Sequence, residues 1–404
     1  MATTRRKYEL YGDEFRARTY ETFAEMRNHD PVFSQPGLDG TTPIWFVTRY
    51  DDSVAVLLDD ERFVRDPWLA FKPAELAGSV VEGFEFIESH MLNKDGDTHR
   101  RLRRLVTKAF TPRMVEQLRP RIQEIAESLI DRVEARGAMD LVEDYAFPLP
   151  ITVIAELLGV PGDDRDRFRV WSDALVTPAL SPDDVARLKV LVDEFVAYLR
   201  ELFERRRADP ADDLITALLQ AEDAGDTLNE RELFSMVVLL ITAGHETTVG
   251  LIGNATLALL RHPEWIPELE RDPGRVIEEV LRYDGPVERT LNRWAATDVE
   301  LGGQTIRRGE LVIVVLGAAD RDPARFARAD TFDPSRESDA KHIAFGRGSH
   351  YCLGAPLARL EGEIAVSTLF RRLPGLALAV PDGDLSWRPV PIFRSLTALP
   401  VTWS

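Results

Sequence analysis

A mainly α-helical fold with a small β part, built as one domain over residues 1–404, is what the amino-acid sequence predicts. Three observations carry that prediction. Helical patterning runs nearly unbroken from about residue 97 to 284. After residue 286 the texture changes to short strand-like pieces with a Gly turn at Gly302-Gly303. No internal repeat or low-complexity linker divides the chain.

Residues 43–48 form an alternating apolar run that reads as a strand, and Asp51 opens a short helix that reaches Leu58. Residues 66–92 show no clean period and read as a long loop. Helices follow at 97–108, 112–136, 150–158, 163–176, 182–207, 211–221, 228–260 and 273–284, with start signals at Asp97, Pro112, Asp163, Ser181-Pro182 and Pro210. The stretch 228–260 is apolar on most faces, the mark of a helix through the middle of a large core. Strands are expected at 287–295, 299–301 and 311–315, a helix at 353–371, and short strands with a turn at 381–383 in the segment 376–403.

A chain of 404 residues that is 44% hydrophobic and 29% charged can bury a large core. Fifty basic against 68 acidic residues leave a net charge of −18, which excludes nucleic-acid coating as the main task and points to no nucleic-acid partner. The single cysteine excludes a disulfide framework and zinc ribbons and fits a reducing, cytoplasmic setting. No His-Glu-x-x-His spacing is present, so a zinc hydrolase is discarded. The N-terminus lacks an apolar signal core, and the most apolar run, 236–243, is too short to cross a bilayer, so no membrane anchor is expected.

Residues 345–354 read Phe-Gly-Arg-Gly-Ser-His-Tyr-Cys-Leu-Gly. Alternate glycines permit a tight loop, and Cys352 then stands at the start of a helix, where amides and dipole favour thiolate. A lone cysteine is ordinarily a small buried hydrophobe, but a thiolate on a Gly-rich loop is a good ligand for haem iron. Inside the long helix, residues 243–248 read Ala-Gly-His-Glu-Thr-Thr. Thr247 can bond back to the carbonyl of Ala243 and open a groove, Gly244 leaves room for a diatomic molecule, and Glu246 is an acid beside it. Taken alone, this pattern fits a polar patch on an amphipathic helix equally well.

The loop F-G-x-G-x-H-x-C-x-G, including Phe345, Gly346, His350, Cys352 and Gly354, resembles the haem-binding loop of the cytochrome P450 family at every fixed position. The resemblance extends over nearly the whole chain and to the soluble bacterial, three-component type. It implies a triangular helical prism with haem b (iron protoporphyrin IX) between the long helix and the cysteine loop, and Cys352 as the iron ligand. It implies that Ala243, Gly244, Glu246 and Thr247 form the oxygen-binding and proton-delivery motif. It selects Glu279 and Arg282, with Arg336, as a structural ion network, and His99, Arg103, Arg293 and His350 as partners of the haem propionates.

The function implied is a monooxygenase that activates dioxygen and hydroxylates or epoxidises a small apolar molecule, with a polyketide or macrolide as the substrate class. Walls of the substrate pocket are carried over to the 66–92 loop, the 173–188 helix ends, Val237, Val238, Ile241, Val287, Glu288, Thr290, Ile392 and Phe393, with Glu288 and Arg289 as polar contacts. A basic run with Arg100, Arg101, Arg103, Arg104, Lys108 and Arg113, with Arg347 and Arg359 flanking the cysteine loop, forms a face for an acidic ferredoxin, itself served by a ferredoxin reductase. An ordinary solvated helix face is the rival reading of that run. Two further alternatives are a peroxide-driven peroxygenase and a non-catalytic haem-binding partner protein. Both would be expected to depart from the Glu246–Thr247 pair or from Cys352, and this chain keeps them all.

Overall fold

The computed structural model describes residues 7–37, 40–72, 75, 85–176, 181–223 and 225–404. Parts of the two segments expected to wall the substrate pocket, within 66–92 and 173–188, therefore lie outside the described residues. The helices that carry the architecture are α1 (Tyr50–Leu58), α2 (Gly96–Ala109), α3 (Arg119–Asp131), α4 (Pro148–Leu157), α5 (Pro182–Ala208), α6 (Glu230–Arg261), α7 (Pro273–Asp284) and α8 (Ala355–Arg372). The main sheet joins β1 (Val32–Pro36), β2 (Pro43–Val47), β3 (Phe63–Val64), β4 (Arg293–Ala295) and β5 (Leu311–Val314) in the order β1-β2-β5-β4-β3. Only the β5–β2 pair is parallel, with Val312 opposite Trp45.

Helix α6 explains the position of everything else. Asn229 and Glu232 start it with a reciprocal capping box, each side chain accepting the other's backbone N–H at 3.0 Å. By length and mean hydropathy (1.5) it could cross a bilayer, which corrects the impression given by the short run 236–243. Yet 72% of its apolar stretch is buried inside the fold, so it is a core helix. It packs on α4, α7 and α8, and Leu233, Met236, Ile241, Val249 and Ile252 belong to one continuous apolar cluster with residues of α3, α4 and α8.

The expected elements hold, with shifted bounds that have local causes. The helix expected at 112–136 breaks in two. Thr111 caps the first piece, Pro112–Gln117, by accepting the Met114 N–H, and Pro120, which lacks an N–H and crowds the carbonyl of the preceding turn, begins α3. The helix expected from 211 begins at Leu214 because Asp213 accepts the Thr216 N–H at 2.8 Å. The strand expected over 287–295 survives only as β4: upstream, the Glu288 N–H bonds to Ile392 O and the Thr290 N–H to Val314 O, so the segment leaves the regular ladder. The last long helix starts at Ala355, with Gly354 at its N-cap.

The Glu279–Arg282–Arg336 group forms as the resemblance implies. Arg282 grips Glu279 with two parallel hydrogen bonds of 2.8 Å and spends its remaining donors on the carbonyls of Asp320, Ala329 and Thr331. Arg336 approaches Glu279 Oε1 at 3.4 Å, and the Asp333 N–H donates to the same oxygen at 2.8 Å. The network ties α7 to residues 320–336. From there the Asp320 carboxylate accepts the Ile343 N–H at 2.8 Å, just ahead of the cysteine loop. Removing one partner leaves two guanidinium groups buried without their counter-ion. Glu279→Ala is therefore expected to lower unfolding stability by about 3–5 kcal/mol, read from denaturant melts, whereas Glu204→Ala, at an exposed pair of the same spacing, changes it by less than about 1 kcal/mol.

Candidate active site around Cys352

The cysteine loop is shaped by two glycines in the left-handed region, Gly346 (φ 72°) and Gly348 (φ 73°). At Gly348 a Cβ would also stand 2.7 Å from Leu57 O, so the loop lies directly on α1. Its closing hydrogen bonds are Gly346 N–H to Ile343 O, Tyr351 N–H to Gly348 O and Cys352 N–H to Phe345 O, at 2.8, 3.1 and 2.9 Å. The Arg359 guanidinium lies 4.5 Å over the Phe345 ring and is paired with Glu278, which also meets His342.

Cys352 keeps accessible surface although protein surrounds it. Burial pushes its thiol above the ordinary value, and the Gly354 and Ala355 N–H groups and the Arg103 and Arg359 guanidiniums only partly offset this. The helix start thus does less than the sequence reading expects: it provides donors for sulfur without producing a low-pKa thiol in the protein alone. A bound cation is what such a half-compensated sulfur accommodates.

In α6, Thr247 Oγ1 donates to Ala243 O at 3.0 Å, as expected, and Thr248 Oγ1 to Gly244 O at 3.3 Å. Thr242 and His245 bond in the same way to Val238 O and Ile241 O. Four side chains within about two turns thus bond back to carbonyls of their own helix. Ala243 is exposed in the middle of an otherwise buried helix, and Leu240 and Thr247 on the same stripe are partly so; this stripe borders open space rather than core. Gly244 corrects its expected role. A Cβ there would meet Ile154 of α4 at 3.5 Å, an ordinary contact, so the glycine faces α4 and does not itself clear space for a diatomic.

Glu246 is buried, and its carboxylate is held by Arg388, whose side chain remains 29% exposed. His245 Nε2 stands 3.5 Å from the other carboxylate oxygen. Burial raises the Glu246 pKa, but His245 and Arg388 outweigh it and leave the carboxyl below its usual range. The acid beside the Thr247 groove is therefore an ion-paired carboxylate with a solvent-reaching guanidinium. Arg388 was not legible in the sequence, since 142 residues separate the partners.

A second cluster adjoins the loop. The His99 and His350 rings lie against each other, tilted by 41° with centroids 4.2 Å apart. Arg293 donates to Phe63 O, and Arg103 to Tyr351 O at 2.6 Å. Arg65, also missed by the sequence reading, is buried beside Arg293 and donates to Leu92 O. Burial, then the neighbouring Arg293 charge, pull the Arg65 pKa down to about 9. Burial, then His350 and Arg103, pull His99 down to about 4. His99 Nε2, Arg293 Nε and His350 Nδ1 are buried without hydrogen-bond partners. Clustered cationic groups and orphaned polar atoms next to a sulfur donor fit a metal macrocycle that carries two carboxylates. Among the described residues no group of three His, Cys, Asp or Glu side chains could hold a bare metal ion.

Several residues expected at the substrate pocket sit elsewhere. Glu288 pairs with Arg16 and Arg289, each at 2.9 Å, and Arg289 also donates to Leu10 O. Both are buried in an ion cluster under the N-terminal segment, so neither is a polar substrate contact. Val237, Val238 and Ile241 are buried in the main core; Leu240 and Ala243 take the open stripe instead. Thr290 Oγ1 accepts the Val314 N–H and is engaged by the sheet. Val287 and Phe393 do come together, across an isolated bridge, with Ile392 next to them.

Residues 274–374 match the family model described as cytochrome P450. The chain is 43% identical over 398 residues to a cytochrome P450 of Bacillus subtilis, covering 98% of this chain and 96% of that protein. It is 44% identical to the cytochrome P450 monooxygenase PikC of Streptomyces venezuelae, covering 97% and 92%. The solved structure of the Bacillus subtilis bacillaene polyketide synthase cytochrome P450 PksS superposes with a TM-score of 0.91 at 40% identity, covering 98% and 100%. A loop-borne sulfur, a central helix with an open stripe and a cationic cradle thus meet whole-length likeness to known enzymes, and the chain belongs to the cytochrome P450 family, the haem-dependent monooxygenases.

Proposed function

We propose that this chain, acting as one domain in the cytoplasm, hydroxylates or epoxidises a small apolar secondary metabolite of polyketide or macrolide type, and that Cys352 would hold the iron of haem b. The observation that carries the assignment is the Cys352 sulfur itself: it is surrounded by protein, faced by the Gly354 and Ala355 N–H groups, and next to Arg103 on the Tyr351 carbonyl. The substrate class rests on relatives such as PksS, named for polyketide biosynthesis, and on the apolar stripe Leu240–Ala243 with Val287, Ile392 and Phe393.

Haem supplies binding and activation of dioxygen and transfer of one oxygen atom, with the thiolate favouring O–O cleavage. The protein does the rest. His99, Arg293 and His350, with Arg65 beside them, would hold the two propionates, and Arg103, expected among them, also braces the Tyr351 carbonyl. Thr247 Oγ1, anchored on Ala243 O, would relay protons arriving from the direction of Glu246, giving up its own hydroxyl proton toward the haem side as it takes up another. Arg388 holds the Glu246 carboxylate and, reaching solvent, sets when that carboxylate is free to take up a proton. Apolar side chains along α6 keep bulk water from the reacting carbon. The intact Glu246–Thr247 pair argues against a peroxide-driven cycle, which has no use for proton delivery of this kind.

Electrons come from a separate acidic ferredoxin with its reductase. Arg100, Arg104, Lys108 and Arg113 are all exposed along α2 and just beyond it. Arg347 lies nearby, donating to the Tyr50 hydroxyl. Arg101 does not belong to this face: it pairs with Asp226 and Glu232 and ties α2 to the start of α6.

Three outcomes are expected. The reduced carbon monoxide complex shows the strongly red-shifted Soret band of a thiolate ligand, and Cys352→Ala loses it; retention of the band in that variant refutes the ligand assignment. Thr247→Ala and Arg388→Gln both divert electrons from product to hydrogen peroxide, measured as peroxide released per NAD(P)H consumed, and unchanged coupling in both removes the proton-delivery role. The rate of reduction by an acidic ferredoxin falls as salt rises and falls further in Arg104→Glu; a salt-independent rate rules out this docking face.

A further inference from the structure

Asp95 has the backbone of a helix N-cap, extended at φ −126° and ψ 178°, yet its side chain makes no cap bond to α2. An aspartate at that position ordinarily turns its carboxylate onto the first amides of its own helix. Here it turns away. Oδ2 accepts the Arg65 and Asp66 N–H groups at 2.6 and 2.7 Å, and Oδ1 accepts His350 Nε2 at 3.1 Å. The side chain is 1% exposed. One buried carboxylate thus joins three distant stretches: the segment after β3, the start of α2 and the cysteine loop.

Each of those stretches carries a group already assigned to the propionates. Arg65 follows β3, His99 lies one turn into α2, and His350 stands on the loop against the His99 ring. Because a carboxylate only accepts, the His350 Nε2 must carry its proton toward Asp95, which fixes the ring orientation and leaves Nδ1 as the atom with no protein partner. Arg65 and Arg293 are two buried like charges side by side, and among the described residues the carboxylates acting on them are Asp95 and Asp60, the latter 3.9 Å from Arg293. Asp95 therefore both sets the spacing of the cradle and compensates part of its charge.

We propose that Asp95 is a positioning residue for haem: acting through His350 and Arg65, it orients the propionate-binding set and thereby sets haem retention and reduction potential. The proposal rests on the assignment of His350 and Arg65 to the propionates made above.

The test uses holoenzyme with Asp95→Asn, Asp95→Ala, His350→Gln and the double variant Asp95→Ala/His350→Gln. Haem transfer to excess apomyoglobin, the reduction potential and the propionate bending bands in the resonance Raman spectrum are measured beside the melting temperature. Asp95→Ala is expected to release haem about tenfold faster or more, as loss of an outer-shell partner does. Asp95→Asn keeps the shape but reverses the hydrogen bond to His350, so it shifts the propionate bands and the potential while the melting temperature stays near wild type; it also serves if the alanine variant does not fold. The double variant should release haem more slowly than the product of the two single effects would give, since Asp95 acts in part through His350. If His350→Gln releases haem faster and shifts the bands while both Asp95 variants match wild type, the positioning role is refuted. If His350→Gln itself matches wild type in release and spectrum, the propionate assignment falls, and this proposal with it. A melting temperature lowered in Asp95→Asn with unchanged bands and potential means that Asp95 only holds the fold together, and that also overturns the proposal.

Discussion

A sulfur must be held still at the mouth of a loop, and buried polar groups on both sides of that loop serve the constraint. The loop's own closing hydrogen bonds set its turn, but Gly346 and Gly348, which give it its shape, offer no side chains to pack. It is held from outside as well. Glu279 fixes Arg282 and Arg336 on one side, and Asp320 carries that rigidity to Ile343. On the other side Glu278 holds Arg359 over Phe345, and Asp95 holds His350. Buried ion pairs contribute little net stability because desolvation offsets their attraction, but they fix direction. A ligand loop whose donor must meet one metal atom gains more from direction than from stability.

The same reasoning accounts for the uneven burial of charge. Arg65, Arg293, His99 and His350 lie close together with few carboxylates among them, an arrangement that burial and mutual repulsion both oppose. A fold tolerates such strain where a dianionic ligand relieves it. Elsewhere the buried charges are matched within the protein: Arg16 and Arg289 share Glu288, and Arg394 meets Asp284. The contrast separates groups that stabilise the fold from groups that await a ligand.

The α6 helix is where fold and chemistry are least separable. Its apolar sides bury it between α4, α7 and α8, while one narrow stripe, Leu240, Ala243 and Thr247, stays open. Side chains bond to four of its carbonyls along that stretch, and Glu246 is turned into an ion pair with a residue from the C-terminal segment. The Glu246 carboxylate is thereby tied to the position of a segment far along the chain.

By itself the sequence determined what short-range physics controls. The helices α2, α5, α6 and α7 followed from period and caps, the back-bond of Thr247 from its spacing to Ala243, and the cysteine loop from the run of residues 345–354. Family likeness added His99, Arg103, Arg293 and His350, and the structure brings them to one place. Only the tertiary structure decided which polar groups were already taken. Glu288 looked like a pocket residue until Arg16, 272 residues away, engaged it, and Arg101 looked like part of a docking face until Glu232 did the same. Arg65, Asp95 and Arg388 gained their roles from partners too distant in sequence for any local pattern to record. Helical phase, hydrogen-bond spacing and loop glycines act over a few residues and leave a trace in order of composition; charge pairing acts through space, and its partners are fixed only when the chain closes on itself.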